Sequence, residues 1–202
     1  MRRYDCLAVL APMITDELCV TNVARSGFEW HAACPREGNL YTMAMGMVTP
    51  VCLGLALALP RRRVIAIDGD GSLLLNVGAL TTVANAAPPN LIVLVFDNRS
   101  YASTGGLPTA TAGATDLAAM AQGAGIRGAC TVTSVDAFRE ALQGAWQGGG
   151  PWVIVARVTG ETEPVGPKLM DGRENKYRFV RYVEESEGVT ILKPSIVGRG
   201  DS

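Results

Sequence analysis

Hydrophobic residues in this chain form short, uninterrupted runs, and stretches with a helical spacing separate them. The run at residues 91–96 is almost entirely apolar, which is typical of a β-strand covered on both faces. Runs of this length, bounded by Gly, Pro or charged residues, predict strands. The predicted strands are residues 17–21, 40–42, 64–67, 91–96, 129–132 and 152–158.

Helices are predicted between the strands from apolar spacing and from end signals. Ser26 and Ser134 are expected N-caps, Pro50 is tolerable in a first turn, and Pro88 follows a helix end. Residues 161–173 are rich in Pro, Gly and charge, which indicates an ordered loop or arm. The predicted helices are residues 26–33, 47–59, 75–86, 116–122, 134–147 and 175–185.

The alternation of strands and helices predicts an α/β fold. Parallel strands joined by right-handed crossovers place helices on both faces of a sheet. We therefore expect a three-layer sandwich with a mostly parallel central sheet. At 202 residues the chain has the length of one domain, which we assign to residues 1–185, with residues 186–202 as a C-terminal tail.

Composition and charge narrow the class of protein. The hydrophobic fraction is 48%, too high for a chain that is disordered throughout, and the net charge is -1. Lys and Arg residues are scattered, so no nucleic-acid-binding surface is expected. The apolar stretch at residues 51–59 is too short to span a bilayer, and residues 1–5 do not resemble a signal peptide. We expect a soluble, cytoplasmic protein.

The spacing of the cysteines argues against a metal cluster. Cys6, Cys19, Cys34, Cys52 and Cys130 include no pair spaced as CxxC. Most of them lie in apolar surroundings. The sequence therefore favours buried free thiols in a reducing compartment.

Polar residues follow two of the predicted strands at their carboxyl ends. Gly69-Asp70-Gly71-Ser72 comes after the third predicted strand, and Asn98 follows the fourth. Ligands of open parallel sheets bind beyond the carboxyl ends of the strands, so these residues are expected to meet. Ser72 and the start of the following helix would add hydrogen-bond donors and a favourable dipole for an anion.

These residue types suit a magnesium diphosphate. Mg²⁺ prefers hard oxygen ligands, which the Asp70 carboxylate, the Asn98 amide and the backbone carbonyl of Ser100 would supply. Gly69 and Gly71 would let backbone N–H groups approach the phosphates. The sequence therefore predicts a phosphate and metal site at this edge of the sheet.

Two other interpretations of the motif compete with this one. Gly-Asp-Gly or Asn after a strand commonly forms a plain turn. Here both motifs occur, each at a strand end and separated by one predicted helix, and this combination favours the phosphate site. A dinucleotide site needs the third glycine of GxGxxG, and Leu74 stands at that position.

Residues 67–72 and 96–101 resemble the diphosphate-binding half of thiamine-diphosphate-dependent 2-oxo acid decarboxylases. Residues 41–57 are similar to the region that precedes this motif in the family. The strongest resemblance is to the β-type small subunits of sulfopyruvate decarboxylases and to the C-terminal part of phosphonopyruvate decarboxylases. It covers about residues 1–185, and it implies the thiamine-diphosphate-binding fold with thiamine diphosphate and Mg²⁺ as cofactors.

The resemblance also implies roles for individual residues. Met45, a bulky apolar residue before a glycine, would hold the cofactor in its V shape. The Met43 carbonyl and the Met45 N–H would bind the aminopyrimidine, although many relatives carry Gly-Ser where Met43 and the next residue stand. Asn22 and Ser26 would approach the terminal phosphate, and Tyr101 would belong to the cofactor-binding segment. Core packing is the alternative for the methionines.

Two residues are candidates for catalysis. Thr104 follows Asn98 by six positions, in the region that the resemblance places over the thiazolium ring, and it would bond an intermediate or cap a turn. His31 is the only histidine and would act as a general base or have a structural role. Arg36 and Arg99 are candidates for binding an anionic substrate tail, with plain solvation as the alternative.

The pyrimidine-contacting glutamate of the family has no match in this chain. Glu17, Glu29 and Glu37 precede the motif but fit no such role. We hypothesise that a pyrimidine-binding (α-type) partner subunit completes each site in a hetero-oligomer. The implied reaction is decarboxylation of a short anionic 2-oxo acid, sulfopyruvate- or phosphonopyruvate-like, to an aldehyde and CO₂.

Other functions stay open on sequence grounds. Carboligation uses the same cofactor chemistry and is not excluded. A ferredoxin-coupled oxidoreductase subunit should bring clustered cysteines, which the sequence lacks. A non-catalytic regulatory subunit would retain the fold, but the intact Asp70, Ser72 and Asn98 argue against it.

Overall fold

One parallel sheet organises the protein, whose computed structural model describes residues 1–23, 25–166 and 171–192. Its strands are β1 (Leu18–Asn22), β2 (Asn39–Met43), β3 (Val64–Gly69), β4 (Leu91–Asp97), β5 (Gly128–Val132) and β6 (Trp152–Arg157). Their order is β2-β1-β3-β4-β6-β5, and every neighbouring pair is parallel. All six predicted strands are confirmed, as is the α/β class with a parallel central sheet.

Helices pack on both faces of the sheet. Each predicted helix has a counterpart in the structure, although several predicted details differ and are described below. The helices are α1 (Arg3–Leu10), α2 (Arg25–Ala33), α3 (Val48–Ala58), α4 (Asp70–Leu75), α5 (Ala79–Ala86), α6 (Leu117–Ala124), α7 (Val135–Gln147) and α8 (Gly172–Glu187).

The prediction that Ser26 caps α2 is wrong. The helix already includes Arg25, and the Ser26 hydroxyl donates to Asn22 Oδ1 at 2.7 Å. A serine with a tertiary acceptor need not cap the helix, and the sequence does not show that acceptor. Ser134, in contrast, caps α7 as predicted, because its Oγ accepts the N–H of Ala137 at 3.2 Å.

The prediction of one helix over residues 75–86 is also wrong. The segment holds the end of α4, a break, and then α5. At the break the side-chain amide of Asn76 donates to the Gly46 carbonyl at 3.1 Å. The helix therefore stops where a side chain turns to a neighbouring loop.

Three further segments differ from the predictions or are only partly covered by the described residues. No helix was predicted at α1, where Cys6, Leu7 and Leu10 are fully buried. The predicted loop at 161–173 holds for residues 161–166 and 171, residues 167–170 lie outside the described residues, and the prediction is wrong for residues 172–173, which begin α8. Helix α8 continues past residue 185 to Glu187, and of the predicted tail, residues 193–202 lie outside the described residues.

Alternate side chains of the central strands feed two separate cores. In β3, Val64 and Ala66 belong to one apolar cluster, and Ile65 and Ile67 belong to the other. The first cluster includes residues of α3, α5, α6 and α8, and the second includes residues of α1, α2 and α7. This arrangement is the expected three-layer sandwich, and it explains why residues 64–67 and 91–96 of the central strands are all apolar.

The edge strand β2 is covered by a side chain of α8. Asn175 is 3% exposed; its Oδ1 accepts the N–H of Tyr41 at 2.8 Å, and its Nδ2 donates to the Asn39 carbonyl at 2.9 Å. The amide thus takes the place of a neighbouring strand for one pair of backbone groups. An edge protected in this way is less able to pair with another chain.

No helix within the described ranges is long and apolar enough to cross a membrane. The five cysteines are free: Cys6, Cys19 and Cys52 are buried, and Cys34 and Cys130 are half-buried. Burial raises the pKa of the Cys6 thiol to about 12. These thiols are therefore poor nucleophiles at neutral pH.

Candidate cofactor site

A cavity of about 430 Å³ opens at the carboxyl ends of β1, β3 and β4. These strands are neighbours in the sheet, so the residues that follow them converge. The cavity brings together ten of the predicted site residues: Asn22, Ser26, Met45, Gly69, Asp70, Gly71, Ser72, Asn98, Ser100 and Tyr101.

Asp70 begins α4 directly after β3, and it is only 3% exposed. Its Oδ2 accepts hydrogen bonds from the hydroxyls of Thr109 at 2.6 Å and of Thr111 at 3.2 Å. Burial, followed by the nearby charge of Asp97, raises the pKa of the Asp70 carboxyl, and the threonine bonds oppose that rise. A buried carboxylate that lines a cavity is a strong site for a cation.

Asn98 lies in a tight turn after β4. Its Oδ1 accepts the N–H of Ser100 at 3.1 Å, and the Oδ1 of Asp97 accepts the N–H of Arg99 at 3.0 Å. Arg99 has a φ of 60°, in the left-handed region that few non-glycine residues adopt. The side chain of Asn98 is therefore held by its own turn while it lines the cavity.

The chain then folds back on itself. The Tyr101 N–H donates to the Leu107 carbonyl at 2.8 Å, and the Thr109 N–H donates to the Arg99 carbonyl at 3.1 Å. Ser100 and Pro108 form an antiparallel bridge between the two arms. This return path delivers the Thr109 hydroxyl to Asp70.

Two glycines keep the cavity open for a diphosphate. A Cβ on Gly69 would lie 3.1 Å from Nδ2 of Asn22, and a Cβ on Gly71 would lie 2.7 Å from Cδ1 of Tyr101. Side chains at these positions would fill the space in which backbone N–H groups meet a phosphate. With the oxygen donors of Asp70 and Asn98 alongside, these residues fit Mg²⁺ and a diphosphate.

Asn22 and Ser26 line the same cavity from β1 and α2. The hydrogen bond of 2.7 Å from the Ser26 hydroxyl to Asn22 Oδ1 orients the Asn22 amide. The Nδ2 atom of that amide is the one nearest to Gly69. Asn22 and Ser26 therefore place an N–H donor beside Gly69, where a phosphate would bind.

Ser72 also contacts groups next to the cavity. Its hydroxyl accepts the Gly46 N–H at 3.1 Å, and it lies close enough to the Asp68 carboxylate to lower the pKa of that group. The Ser72 side chain therefore ties α4 to the loop that carries Met45.

Asp68 is a second buried carboxylate beside the site. Thr49 donates to its Oδ2 at 3.2 Å and the Gly69 N–H donates to its Oδ1 at 2.9 Å. Burial raises the pKa of Asp68 to about 6, against the lowering effect of these hydrogen bonds. Asp68 does not line the cavity, so it supports the motif from behind.

Three predicted site residues do not line the cavity. His31 Nδ1 lies 3.1 Å from the Tyr41 hydroxyl, and the two rings make an edge contact at 5.4 Å. Thr104 is exposed, and its hydroxyl lies 3.5 Å from the Tyr101 carbonyl, a contact at the limit of a hydrogen bond that matches its turn-capping alternative. Met43 ends β2 and packs against the first core cluster.

Sequence reasoning missed several residues at the site. Thr109 and Thr111 contact the Asp70 carboxylate, Thr111 also donates to Asp97, Arg157 forms an ion pair with Asp97, and Arg3 lines the cavity from α1. The two threonines lie far along the chain from Asp70. Two threonines at 109 and 111 are only a weak indication of a site in the sequence, because they reach the Asp70 carboxylate only where the loop folds back on itself.

Comparison with known proteins bears directly on this geometry. The sequence profile of the family described as "Thiamine pyrophosphate enzyme, C-terminal TPP binding domain" matches residues 25–156. The matched region contains most of the residues that line the cavity described above.

Curated relatives match the chain over most of its length. The sulfopyruvate decarboxylase subunit beta of Methanococcus maripaludis is 33% identical over 92% of this chain and 99% of the relative. That of Methanocaldococcus jannaschii is 33% identical over 92% of this chain and 98% of the relative. The phosphonopyruvate decarboxylase of Streptomyces viridochromogenes is 36% identical over 87% of this chain, which spans 44% of that longer protein.

Solved structures share the fold. A putative thiamin diphosphate-dependent enzyme from Mycobacterium smegmatis superposes with a TM-score of 0.67 at 23% identity, over 80% of this chain and 32% of that one. Benzoylformate decarboxylase from Polynucleobacter necessarius gives 0.69 at 21% identity, over 82% of this chain and 34% of that one. The chain therefore belongs to the thiamine pyrophosphate enzymes, and its residues 25–156 match the C-terminal TPP-binding domain of that family.

Proposed function

We propose that this chain is the diphosphate-binding subunit of a thiamine-diphosphate-dependent decarboxylase that acts on a short anionic 2-oxo acid. The substrate would be of the sulfopyruvate or phosphonopyruvate kind, and the products would be an aldehyde and CO₂. The observation that carries the proposal is the meeting of Asp70, Gly69 and Asn98 around one cavity. The match to sulfopyruvate decarboxylase beta subunits over 92% of the chain supports the same reaction class.

The residues of the cavity have separate tasks in this proposal. Asp70, Asn98 and the Ser100 carbonyl would hold Mg²⁺, and the N–H groups around Gly69 and Gly71 would bind the diphosphate oxygens. Asn22 would donate to the terminal phosphate through its oriented amide. Bound thiamine diphosphate would supply the nucleophilic carbon and the electron sink that decarboxylation needs.

Met45 would support the cofactor from the opposite side of the cavity. It lines the cavity at the start of a short loop whose next residue, Gly46, is held by Ser72 and Asn76. A fixed apolar side chain there would hold a folded cofactor in one shape. Pre-orienting two reacting groups of the cofactor is an effective source of rate acceleration.

The catalytic glutamate would come from a partner subunit. None of the described residues that line the cavity is a glutamate. The curated proteins that this chain matches almost end to end are named as beta subunits, whereas the single-chain phosphonopyruvate decarboxylase is matched over only 44% of its length. We therefore propose a hetero-oligomer in which a pyrimidine-binding subunit closes the cavity.

The charges of the cavity favour an anionic substrate. Arg3 and Arg25 both line it, and Arg3 is paired with the buried Glu29 at 2.7 Å. Arg36 donates instead to the Glu17 carbonyl at 2.7 Å and to the Tyr182 hydroxyl at 3.0 Å, so it is not a candidate for the substrate tail. Arg25, which is exposed, is the better candidate in this chain for binding the anionic tail of the substrate.

The test is a reconstitution with the candidate pyrimidine-binding subunit. The complex is screened with 2-oxo acids that carry a sulfonate, a phosphonate, a carboxylate or a methyl group at C3, and both CO₂ and aldehyde are measured. We expect cofactor-dependent turnover of the anionic substrates by the complex alone, and none with Asp70→Ala.

Each other outcome contradicts a defined part of the proposal. Robust turnover by the isolated chain would refute the need for a partner. Coupled products without free aldehyde would favour a carboligase. Normal turnover by Asp70→Ala would refute the metal assignment, and a complex inactive on every acid would favour a regulatory subunit.

A further inference from the structure

We propose that Thr109 and Thr111 are positioning residues that hold the Asp70 carboxylate in its cation-binding orientation. The proposal rests on the proposed function, because it assumes that Asp70 binds Mg²⁺. The two threonines come from the far arm of the loop that follows Asn98. They contact the carboxylate from within the protein and are 4% and 2% exposed.

Among the described residues, both threonine hydroxyls that approach the Asp70 side chain lie against the same oxygen. Thr109 Oγ1 lies 2.6 Å and Thr111 Oγ1 lies 3.2 Å from Asp70 Oδ2. An ionised carboxylate has about four acceptor positions, so Oδ1 keeps its capacity for a cation. The two threonines at Oδ2 therefore restrict the rotation of the carboxylate without occupying its other oxygen.

The hydroxyl protons can be assigned from the distances. Each threonine has one proton, and the shortest contact of Thr109 is with Asp70 at 2.6 Å. The shortest contact of Thr111 is with Asp97 Oδ1 at 2.7 Å, and the two hydroxyls lie 2.9 Å apart. Thr109 is therefore the donor to Asp70, whereas Thr111 donates its single proton mainly to Asp97 and lies between the two carboxylates.

The second carboxylate is balanced by a cation from β6. Arg157 Nη1 lies 2.7 Å from Asp97 Oδ2, in an ion pair whose angle is outside that of a hydrogen bond. Asp97 is 1% exposed, so its charge would otherwise be costly. One arginine for two carboxylates leaves one negative charge, and Asp70 is the carboxylate that lines the cavity.

Groups that orient a metal ligand change metal affinity when they are removed. Loss of such a hydrogen bond costs about 10- to 100-fold in affinity in other proteins. A threonine that only filled space would be replaced by valine, which has nearly the same shape, without such a loss. The Thr→Val substitution therefore separates orientation from packing.

The chain contains a matched control. Thr49 is 1% exposed and donates to Asp68 Oδ2 at 3.2 Å, only two positions from Asp70 along the chain. It has the same side chain, the same burial and a carboxylate acceptor. It differs because its acceptor does not line the cavity.

The experiment measures Mg²⁺ binding to the full-length chain, reconstituted with its partner subunit, by calorimetry at saturating thiamine diphosphate. We expect the Kd for Mg²⁺ to rise at least tenfold in Thr109→Val and by a smaller factor in Thr111→Val. Thr109→Ser, which restores the hydroxyl, and Thr49→Val should stay within about twofold of the wild type. Circular dichroism establishes that each variant is folded.

The proposal is overturned if Thr109→Val binds Mg²⁺ as the wild type does, or if Thr49→Val or Thr109→Ser weakens binding equally. It is also overturned if Asp70→Ala leaves the Kd unchanged, since Asp70 is then no ligand. A threonine dependence as expected, in a complex that decarboxylates no 2-oxo acid, supports this proposal and refutes the proposed function.

Discussion

The Ser72 hydroxyl accepts a hydrogen bond of 3.1 Å from the backbone N–H of Gly46. This contact joins the helix that follows the metal-ligand motif to the loop that carries Met45. Gly46 has a φ of +80°, a conformation that suits glycine, and its carbonyl accepts from Asn76. The backbone N–H and C=O of Gly46 are thus bound by Ser72 of α4 and by Asn76, the residue that directly follows α4.

Replacing Ser72 with alanine should loosen this loop. The Gly46 N–H would lose its partner, at a cost of about 1–3 kcal/mol in the free energy of unfolding. Urea denaturation measures that change, and calorimetry should show weaker binding of thiamine diphosphate than in the wild type. Ser103→Ala is the control, because Ser103 lines the same cavity but is exposed. Equal stability of the two variants would contradict this account.

The buried Asp68 should make the stability of the metal-free chain depend on pH. Its pKa is about 6 in the folded protein against the usual value of 3.8 for an aspartate, so the unfolded chain releases this proton first. The contribution of Asp68 is therefore fully present below pH 4 and is lost as the pH rises towards 6. The total is on the order of 3 kcal/mol at about 1.4 kcal/mol per pKa unit.

Asp68→Asn should remove that part of the pH dependence. Urea denaturation from pH 4 to pH 7 would show the variant gaining stability relative to the wild type as the pH rises. Asp136→Asn is a suitable control, since the Asp136 side chain is 85% exposed. Parallel curves for Asp68→Asn and the wild type would show that this carboxyl has an ordinary pKa.

Asn175 should matter for stability although it is far from the motif. Asn175→Ala leaves the Tyr41 N–H and the Asn39 carbonyl without their partner, which costs on the order of 3 kcal/mol. Asn85→Ala, at an exposed position of α5, should change the free energy of unfolding by less than about 0.5 kcal/mol. A small effect of Asn175→Ala would mean that β2 does not depend on α8.

The cysteines should differ in their rate of alkylation. Burial raises the pKa of the thiols of Cys6, Cys19 and Cys52, which are fully inside the protein, whereas Cys34 and Cys130 are half-buried. Native chain treated with iodoacetamide at pH 8 should therefore carry label first at Cys34 and Cys130, as measured by peptide mass spectrometry. Early labelling of Cys52 would indicate that α3 opens.

The strands and the metal motif were predictable because their signals are local. Residues 64–67 of β3 and 91–96 of β4 are all apolar because each face of the sheet meets a helix layer, and the polar residues that come after them reach the sheet edge. Helix ends were less predictable. The Ser26 hydroxyl donates to Asn22 instead of capping α2. A helix ends at Asn76, whose side chain donates to the Gly46 carbonyl. Both choices depend on tertiary neighbours.

The surroundings of the Asp70 carboxylate could not be predicted for the same reason. Thr109 and Thr111 reach it only because the loop from Arg99 returns along itself, a path set by backbone bonds between residues distant in the chain. The placement of His31 against Tyr41 is similarly a tertiary contact. Its residue type left both a general base and a structural role open, and the contact with Tyr41 matches the structural role.

The two hydrogen bonds from α4 to Gly46 have a consequence for protein engineering. Residues 44–47 and 70–76 behave as one exchangeable module, since the shape of the first segment depends on side chains of the second. A chimera that imports a new loop at 44–47 from a relative, in order to accept a modified cofactor, should import 70–76 from the same parent. Grafts that separate the two segments would combine a loop with a helix that has no matching contacts for it.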